Sequence, residues 1–162
     1  MTTIVYHHPS RMFFADGRET DSSGFIYTDD AQKIYELDNG DIAMFAGDVA
    51  TINIFVAEYN EVELGNHQRY GEGREELGFT GFLFHKDSGK VFHIGLEWNE
   101  EDKVWVFSSC SIQYSLALGS GSYFAIAALD LGKSPSEAIE YAATRDVGTG
   151  SRVYAIQLPE VV

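Results

Sequence analysis

Apolar and polar positions alternate along most of the chain in short runs, a pattern that favours β-strands. These runs are rich in β-branched and aromatic residues, and turn-forming residues separate them. Between the first two runs, Pro9 fixes φ and Ser10 caps locally, so the chain is predicted to begin with a β-hairpin. The predicted strands are residues 2–6, 11–15, 24–28, 34–37, 42–46, 79–85, 91–95, 104–107, 115–118 and 152–157.

The first predicted helix follows the fifth of these strands. Ile52, Phe55, Val56 and Tyr59 stand at i, i+3, i+4 and i+7, which gives a helix one apolar face. Residues 60–76 are polar, contain glycine and have no clear period. They are predicted to form a loop, with at most a short helical turn.

Two further helices are predicted closer to the C-terminus. Residues 122–131 are apolar and rich in alanine, the residue with the highest intrinsic helix propensity. The third helix has a well-defined start, with Ser134 as the N-cap, Pro135 at the first helical position and Glu137 closing a capping box. It is predicted to end at about residue 145.

The order of these elements indicates the fold class. Antiparallel hairpins with the helices grouped between them favour an α+β fold over the regular alternation of a parallel sheet. The 162 residues suit one domain with a sizeable buried core, and no linker or internal repeat divides them. Residues 1–162 are therefore predicted to form a single domain.

The charge of the chain limits its partners. With 25 acidic and 11 basic residues, its formal net charge is −14. A nucleic-acid backbone or an anionic membrane surface would repel such a protein, so neither is expected as a partner.

Composition also limits location and cofactors. The single cysteine, Cys110, cannot form an intramolecular disulfide and is predicted to be a small buried residue. The chain shows neither a signal-peptide pattern nor an apolar run long enough to span a membrane, so the predicted location is the cytoplasm. The five histidines are too dispersed for a metal site, and no phosphate-binding loop occurs, so no metal or nucleotide cofactor is expected.

Candidate chemistry begins at the N-terminus. A small second residue allows Met1 to be removed, which would leave Thr2 with both a hydroxyl and a free α-amine. An α-amine has a reference pKa of about 7.7–8.0, so near neutral pH it can act as the general base for its own residue's hydroxyl. A plain N-terminus would explain the same two residues.

Two charged residues could support such a site. If Lys33 pointed toward an N-terminal amine, mutual repulsion would lower both pKa values. Asp16, at a strand end before a glycine, could hold this lysine in place. Each residue taken alone is equally well explained as an ordinary loop or turn residue.

Two later segments offer hydrogen-bonding groups. Ser120 and Gly121 precede the second helix, where a hydroxyl and backbone N–H groups can bind a polar or anionic group. Asp146 and Thr149 follow the third helix and could be hydrogen-bond partners of a terminal residue.

The order of these motifs along the chain resembles the proteasome β-subunit and HslV-type threonine peptidases, which are N-terminal-nucleophile hydrolases. The resemblance extends from Thr2 to about residue 158 and is strongest in residues 2–50 and 115–151. It includes Met-Thr-Thr-Ile-Val at the start, Phe-Ala-Asp-Gly-Arg, Gln-Lys-Ile, Phe-Ala-Gly-Asp, Leu-Ala-Leu-Gly-Ser-Gly-Ser and a late Arg-Asp.

This resemblance implies a role for each candidate residue. Thr2 is the expected nucleophile, Lys33 lowers the pKa of its amine and polarises the site, and Asp16 pairs with Lys33. The remaining network is Ser120 and Gly121 beside the amine, with Asp146 and Thr149 completing it; serine is more usual in the family at the last position.

The resemblance also implies a four-layer αββα sandwich, two antiparallel sheets packed face to face with helices outside. It implies an unfolded protein or peptide as substrate, a homo-oligomeric ring, and an ATP-driven unfoldase as partner.

Two departures leave other functions open. The family supplies an oxyanion-hole N–H from a glycine where this chain has Met44, whose backbone N–H can still serve. Residues 60–76 are also shorter and more polar than the long second helix of the family. The alternatives are a catalytically silent scaffold of the same fold and an amidase of the same type that acts on a small amide.

Overall fold

The computed structural model describes residues 1–59, 68–72 and 78–160, with the backbone alone for residues 68–72. Its contacts divide the chain into two compact units. The first unit comprises Met1–Ile34 and Gln113–Pro159, and the second contains Tyr35–Ile112.

Twelve strands and three helices are present in the described residues. In chain order they are β1 (Thr3–His7), β2 (Met12–Asp16), β3 (Glu19–Thr20), β4 (Ile26–Thr28), β5 (Ile34–Glu36), β6 (Ile42–Gly47), α1 (Val49–Glu58), β7 (Gln68–Glu72), β8 (Phe79–His85), β9 (Lys90–Asn99), β10 (Val104–Ile112), β11 (Leu116–Gly119), α2 (Ser122–Asp130), α3 (Pro135–Ala143) and β12 (Val153–Gln157).

The first unit is built on a four-stranded antiparallel sheet with the order β11-β1-β2-β12. The N-terminal hairpin lies at its centre, and Ile4 pairs with Ala15. Helices α2 and α3 cover the face that carries Val5 and Phe14, because small alanines on both helices allow close packing. The core on this face consists of Val5, Phe14, Ala117, Ala125, Ala128, Ala138, Ile139 and Ala142.

The starts of α2 and α3 differ in a way that affects the site. Helix α3 has the predicted capping box, in which the Ser134 side chain accepts from the Glu137 N–H and the Glu137 carboxylate accepts from the Ser134 N–H. Helix α2 has Gly121 as its N-cap and no side-chain cap. The hydroxyl of Ser120, just before it, is therefore free to bind elsewhere.

The second unit is built on a six-stranded antiparallel sheet with the order β5-β6-β8-β9-β10-β7. Helix α1 packs on one face through Ile52 and Phe55, as the apolar spacing predicts. The Phe55 ring stacks on Phe107, with centroids 5.6 Å apart, and meets Phe45 and Phe79 edge to face. This aromatic cluster forms the centre of the unit's core.

The structure corrects three local expectations. Strand β7 lies within the predicted loop 60–76, whose residues 60–67 and 73–76 are outside the described part of the chain. Strands β9 and β10 are longer than predicted, because they pair with each other continuously from Asn99 opposite Val104 to Val91 opposite Ile112. Cys110 is exposed on β10, so the prediction of a buried cysteine is wrong.

The fold-class prediction is confirmed at the level of a mixed fold with antiparallel sheets and three helices in the described residues. The four-layer arrangement and the single domain stay predictions. Over the same residues, no helix has both the length and the apolar character needed to cross a membrane.

We expect Phe55→Ala to lower the free energy of unfolding by about 3–5 kcal/mol, because it leaves a cavity among the rings of Phe45, Phe79 and Phe107. The neighbouring Ile54 is 51% exposed, and Ile54→Ala should change the free energy of unfolding by no more than about 0.5 kcal/mol. Urea unfolding of both variants measures the difference. Equal losses would contradict the proposed core.

Candidate functional site

The carboxylate of Asp16 is the centre of the polar network in the first unit. Asp16 is fully buried at the end of β2 and accepts four hydrogen bonds. Its Oδ1 accepts from the Thr3 N–H and from Lys33 Nζ, both at 2.8 Å. Its Oδ2 accepts from the Arg18 N–H at 2.9 Å and the Gly150 N–H at 2.8 Å. One carboxylate thus joins β1, the residues after β2, the lysine and the loop before β12.

Lys33 is held from two sides. Besides Asp16, its ammonium donates to the Arg18 carbonyl oxygen at 2.6 Å, and only 9% of the side chain is exposed. Burial lowers the pKa of Lys33 below the ordinary lysine value, while the charges of Asp16 and Glu19 oppose part of this change. The result is a fixed positive charge in a nearly dry position.

Thr2 lies beside a serine and a carboxylate. It is 6% exposed, and its backbone N–H donates to Ser120 Oγ at 3.2 Å. Ser120 Oγ in turn donates to Asp146 Oδ2 at 2.6 Å. The Thr2 hydroxyl makes no hydrogen bond to any residue that the structure describes. A hydrogen bond thus holds the nitrogen of Thr2, whereas the hydroxyl has no hydrogen bond within the described residues.

Asp146 collects donors from three residues. Oδ2 accepts from Ser120 Oγ and from Thr149 Oγ1, each at 2.6 Å, and Oδ1 accepts from the Gly148 N–H at 3.2 Å. Burial raises the pKa of Asp146, but the hydrogen bonds from Ser120, Thr149 and Gly148 outweigh it, so the pKa lies below the ordinary aspartate value. The carboxylate is therefore ionised over the neutral range.

A buried pair of hydroxyls links β1 to the same loop. Thr3 Oγ1 and Thr149 Oγ1 are 2.6 Å apart, and Thr149 uses its proton on Asp146. The Thr3 hydroxyl must therefore donate to Thr149. A Cβ on Gly121 would lie 2.2 Å from Thr3 Oγ1 and 2.6 Å from Thr149 Oγ1. Only glycine at this N-cap lets α2 approach the pair.

Met1 covers one side of the site. Its amino group donates to Thr20 Oγ1 at 3.3 Å, and a Cβ on Gly148 would lie only 2.1 Å from Met1 Cβ. With Met1 attached, the nitrogen of Thr2 is an amide. Without it, the same nitrogen would be an amine next to Ser120.

Two solved structures resemble this chain over nearly its whole length. HslV from Trypanosoma brucei matches with a TM-score of 0.59 and 16% identity, covering 96% of this chain and 98% of the other. The protein BPH of Thiobacillus denitrificans matches with a TM-score of 0.62 and 12% identity, covering 99% and 100%. The chain has an HslV-like fold. No family model and no curated protein matches the sequence.

The first unit brings together seven of the eight predicted site residues: Thr2, Asp16, Lys33, Ser120, Gly121, Asp146 and Thr149. The eighth, Met44, lies in the second unit, in the middle of β6 and opposite Phe82. Its role at an oxyanion hole stays a prediction.

Sequence reasoning missed two members of the network, Thr3 and Arg18. Thr3 could have been noticed, because adjacent residues of a strand point to opposite faces and Thr2 and Thr3 must differ in environment. For Arg18 the only signal was its place two residues after Asp16. Within the described residues, no group of three or more His, Cys, Asp or Glu side chains could hold a metal ion.

We expect Thr149→Val to lower the free energy of unfolding by about 1–3 kcal/mol, because it leaves the buried Thr3 hydroxyl without an acceptor. Thr149→Ser is the matched control, since it keeps the hydroxyl and should lose clearly less. Urea denaturation of the two variants compares them. If valine were tolerated as well as serine, the buried hydroxyl pair would contribute nothing to stability.

Proposed function

We propose that this chain is a threonine-type endopeptidase whose nucleophile is the hydroxyl of Thr2, exposed when Met1 is removed. The observation that carries the proposal is the contact of the Thr2 nitrogen with Ser120, which is itself bonded to Asp146. An amine at this position would have a hydrogen-bond partner already in place. The HslV-like fold supports the same reaction class.

The reaction begins with attack by Thr2 Oγ1 on a peptide carbonyl, while the α-amine of Thr2 takes the hydroxyl proton. The amine then gives this proton to the leaving amine of the substrate as the peptide C–N bond breaks. The acyl group remains on Thr2 as an ester. Water, deprotonated by the same amine, hydrolyses the ester and restores the enzyme.

Lys33 and Asp146 carry opposite charges and affect the base in different ways. Lys33 Nζ and the Thr3 N–H both donate to Asp16 Oδ1, so the positive charge of Lys33 lies close to the backbone of the residue that follows Thr2. A nearby positive charge lowers the pKa of an amine and keeps it unprotonated near neutral pH. Ser120, held by Asp146, orients the amine toward the hydroxyl.

Other parts of the proposal rest on the resemblance to HslV-type peptidases. The backbone N–H of Met44 would stabilise the negative oxygen of the intermediate. The substrate would be an unfolded protein or peptide, delivered in the cytoplasm by an ATP-driven unfoldase to a homo-oligomeric ring of this chain. No cofactor takes part.

One observation favours a second candidate function. Met1 packs against Gly148, and a chain that keeps Met1 has no free amine on Thr2. Such a chain would be a catalytically silent scaffold subunit of the same fold.

We expect Thr2→Ala to lower kcat on an unstructured peptide at least about a thousandfold, because the nucleophile is removed. Thr2→Ser is the matched control and should keep measurable activity, since serine supplies both a hydroxyl and an amine. Alanine and serine at position 2 are small, as threonine is, so Met1 should be removed from both variants and from wild type. Intact mass measures this removal. Undiminished cleavage by Thr2→Ala would rule out Thr2 as nucleophile, and retained Met1 in an inactive wild type would support the scaffold.

The lowered pKa of Lys33 predicts how kcat/KM declines at alkaline pH. Deprotonated Lys33 would leave the buried carboxylate of Asp16, which holds the Thr3 N–H next to the nucleophile, without its cation. Activity should therefore fall as pH rises through the folded-state pKa of Lys33, which burial holds below the ordinary value of about 10.4. The alkaline decline of kcat/KM should therefore set in at a lower pH than the titration of an ordinary lysine would give, while circular dichroism confirms that the protein stays folded. In Lys33→Arg, any remaining activity should persist to higher pH, because a guanidinium does not deprotonate there. If wild type and Lys33→Arg lost activity over the same alkaline pH range, deprotonation of Lys33 could not be the cause of the loss.

A further inference from the structure

The side chain of Arg18 contacts two segments that each carry a candidate site residue. Its Nε donates to Asp29 Oδ1 at 2.7 Å, and Nη2 reaches Asp29 Oδ2 at 3.3 Å. Its Nη1 donates to the carbonyl oxygen of Val147 at 3.1 Å. One guanidinium thus joins the segment that leads to Lys33 with the loop that follows Asp146.

The segment before Lys33 is held along its length. At its start, Asp29 forms the two-pronged ion pair with Arg18. In its middle, the Ala31 N–H donates to the Gly17 carbonyl oxygen at 2.8 Å. At its end, the Lys33 ammonium donates to the Arg18 carbonyl oxygen. Arg18 therefore binds this segment twice, once through its side chain and once through its backbone.

The loop after Asp146 passes close to the same ion pair. A Cβ on Gly150 would lie 2.9 Å from Asp29 Oδ1 and 3.0 Å from Arg18 Cβ. The backbone of Gly150 therefore leaves no space between the loop and the ion pair. A shift of the Arg18 side chain would be transmitted directly to this loop.

We propose that Arg18 is a positioning residue, which clamps the Lys33 segment to the 146–150 loop and so fixes Lys33 and Asp146 around Thr2. This proposal rests on the proposed function of Thr2. Arginine suits the position because its planar fork binds the carboxylate with two parallel bonds and keeps a third N–H for Val147. A lysine would keep the charge but lose this geometry.

The exposure of the Arg18–Asp29 ion pair indicates whether it serves folding stability or the placement of the site residues. The side chain of Arg18 is 20% exposed and that of Asp29 is 51% exposed. Such an ion pair contributes little to folding stability by itself. Its contribution is therefore expected in the placement of the catalytic groups, where a displacement of about 1 Å can cost about a hundredfold in rate.

The experiment is a double-mutant cycle on kcat with Arg18→Gln, Asp29→Asn and the double variant. We expect each single change to lower kcat by about 10- to 100-fold with KM within about twofold. The double variant should be no slower than the slower single variant, because both changes break one clamp. Arg18→Lys should recover only part of the rate, since it restores the charge alone.

The matched control is the ion pair of Arg152 with Asp30, which is 2.6 Å long, lies on the same segment and is 61% exposed on both sides. Arg152→Gln should leave kcat within about twofold of wild type. Wild-type kcat in Arg18→Gln, or losses that multiply in the double variant, would overturn the clamp.

Hydrogen exchange separates this proposal from the proposed function. In Arg18→Gln, the amides of Ala31 and Gly148 should both exchange faster, by about fivefold or more, because the two segments are released together. Arg152→Gln should not speed the exchange of these two amides together. If wild type lacks Thr2-dependent activity, the proposed function fails; if exchange at both amides is unchanged in Arg18→Gln, the clamp fails whatever the activity.

Discussion

The first unit depends on the buried carboxylate of Asp16. A fully buried charge is tolerated only when it is paired and its oxygens are hydrogen-bonded, and Asp16 has one ammonium and three backbone N–H groups as partners. Removing one partner of such a buried pair typically costs about 3–5 kcal/mol. The four donors come from β1, the residues after β2, Lys33 and the loop before β12, so none of these can move without leaving the charge exposed to an apolar environment. The geometry of the site is therefore coupled to the folding of this unit.

The two carboxylates of the site are held in different ways, which suits different roles. Asp16 is paired with the ammonium of Lys33. Within the described residues, Asp146 has no cation among its hydrogen-bond partners and is held by two hydroxyls and one N–H. It therefore remains a local negative charge that can stabilise a protonated amine, whereas Lys33 destabilises one. The base strength of an amine on Thr2 would be the balance of these two opposing effects.

Local signals account for what the sequence predicted correctly. Strand β8, the helix α1 face and the α3 capping box all follow from residues within a few positions of each other. Strand β7 was missed because its composition is polar, and only pairing with β10 makes it a strand. The extension of β9 depends on Trp98 meeting Trp105 across the strands, with ring centroids 5.5 Å apart. The seven site residues were found from their order along the chain, but Arg18 contacts Val147, 129 residues away, and no local pattern encodes such a contact.

The two adjacent threonines, Thr2 and Thr3, have different contacts, and these favour Thr2 as the nucleophile of the proposed reaction. The Thr3 side chain is fully buried and its hydroxyl donates to Thr149, while its N–H is fixed on Asp16. A nucleophile at this position would have to break the hydrogen bonds that hold the site together. The Thr2 hydroxyl makes no such bond within the described residues, and its nitrogen already faces Ser120. Two adjacent residues thus meet two requirements of the proposed mechanism, with Thr3 fixing β1 to the loop and Thr2 leaving its hydroxyl oxygen for the proposed attack.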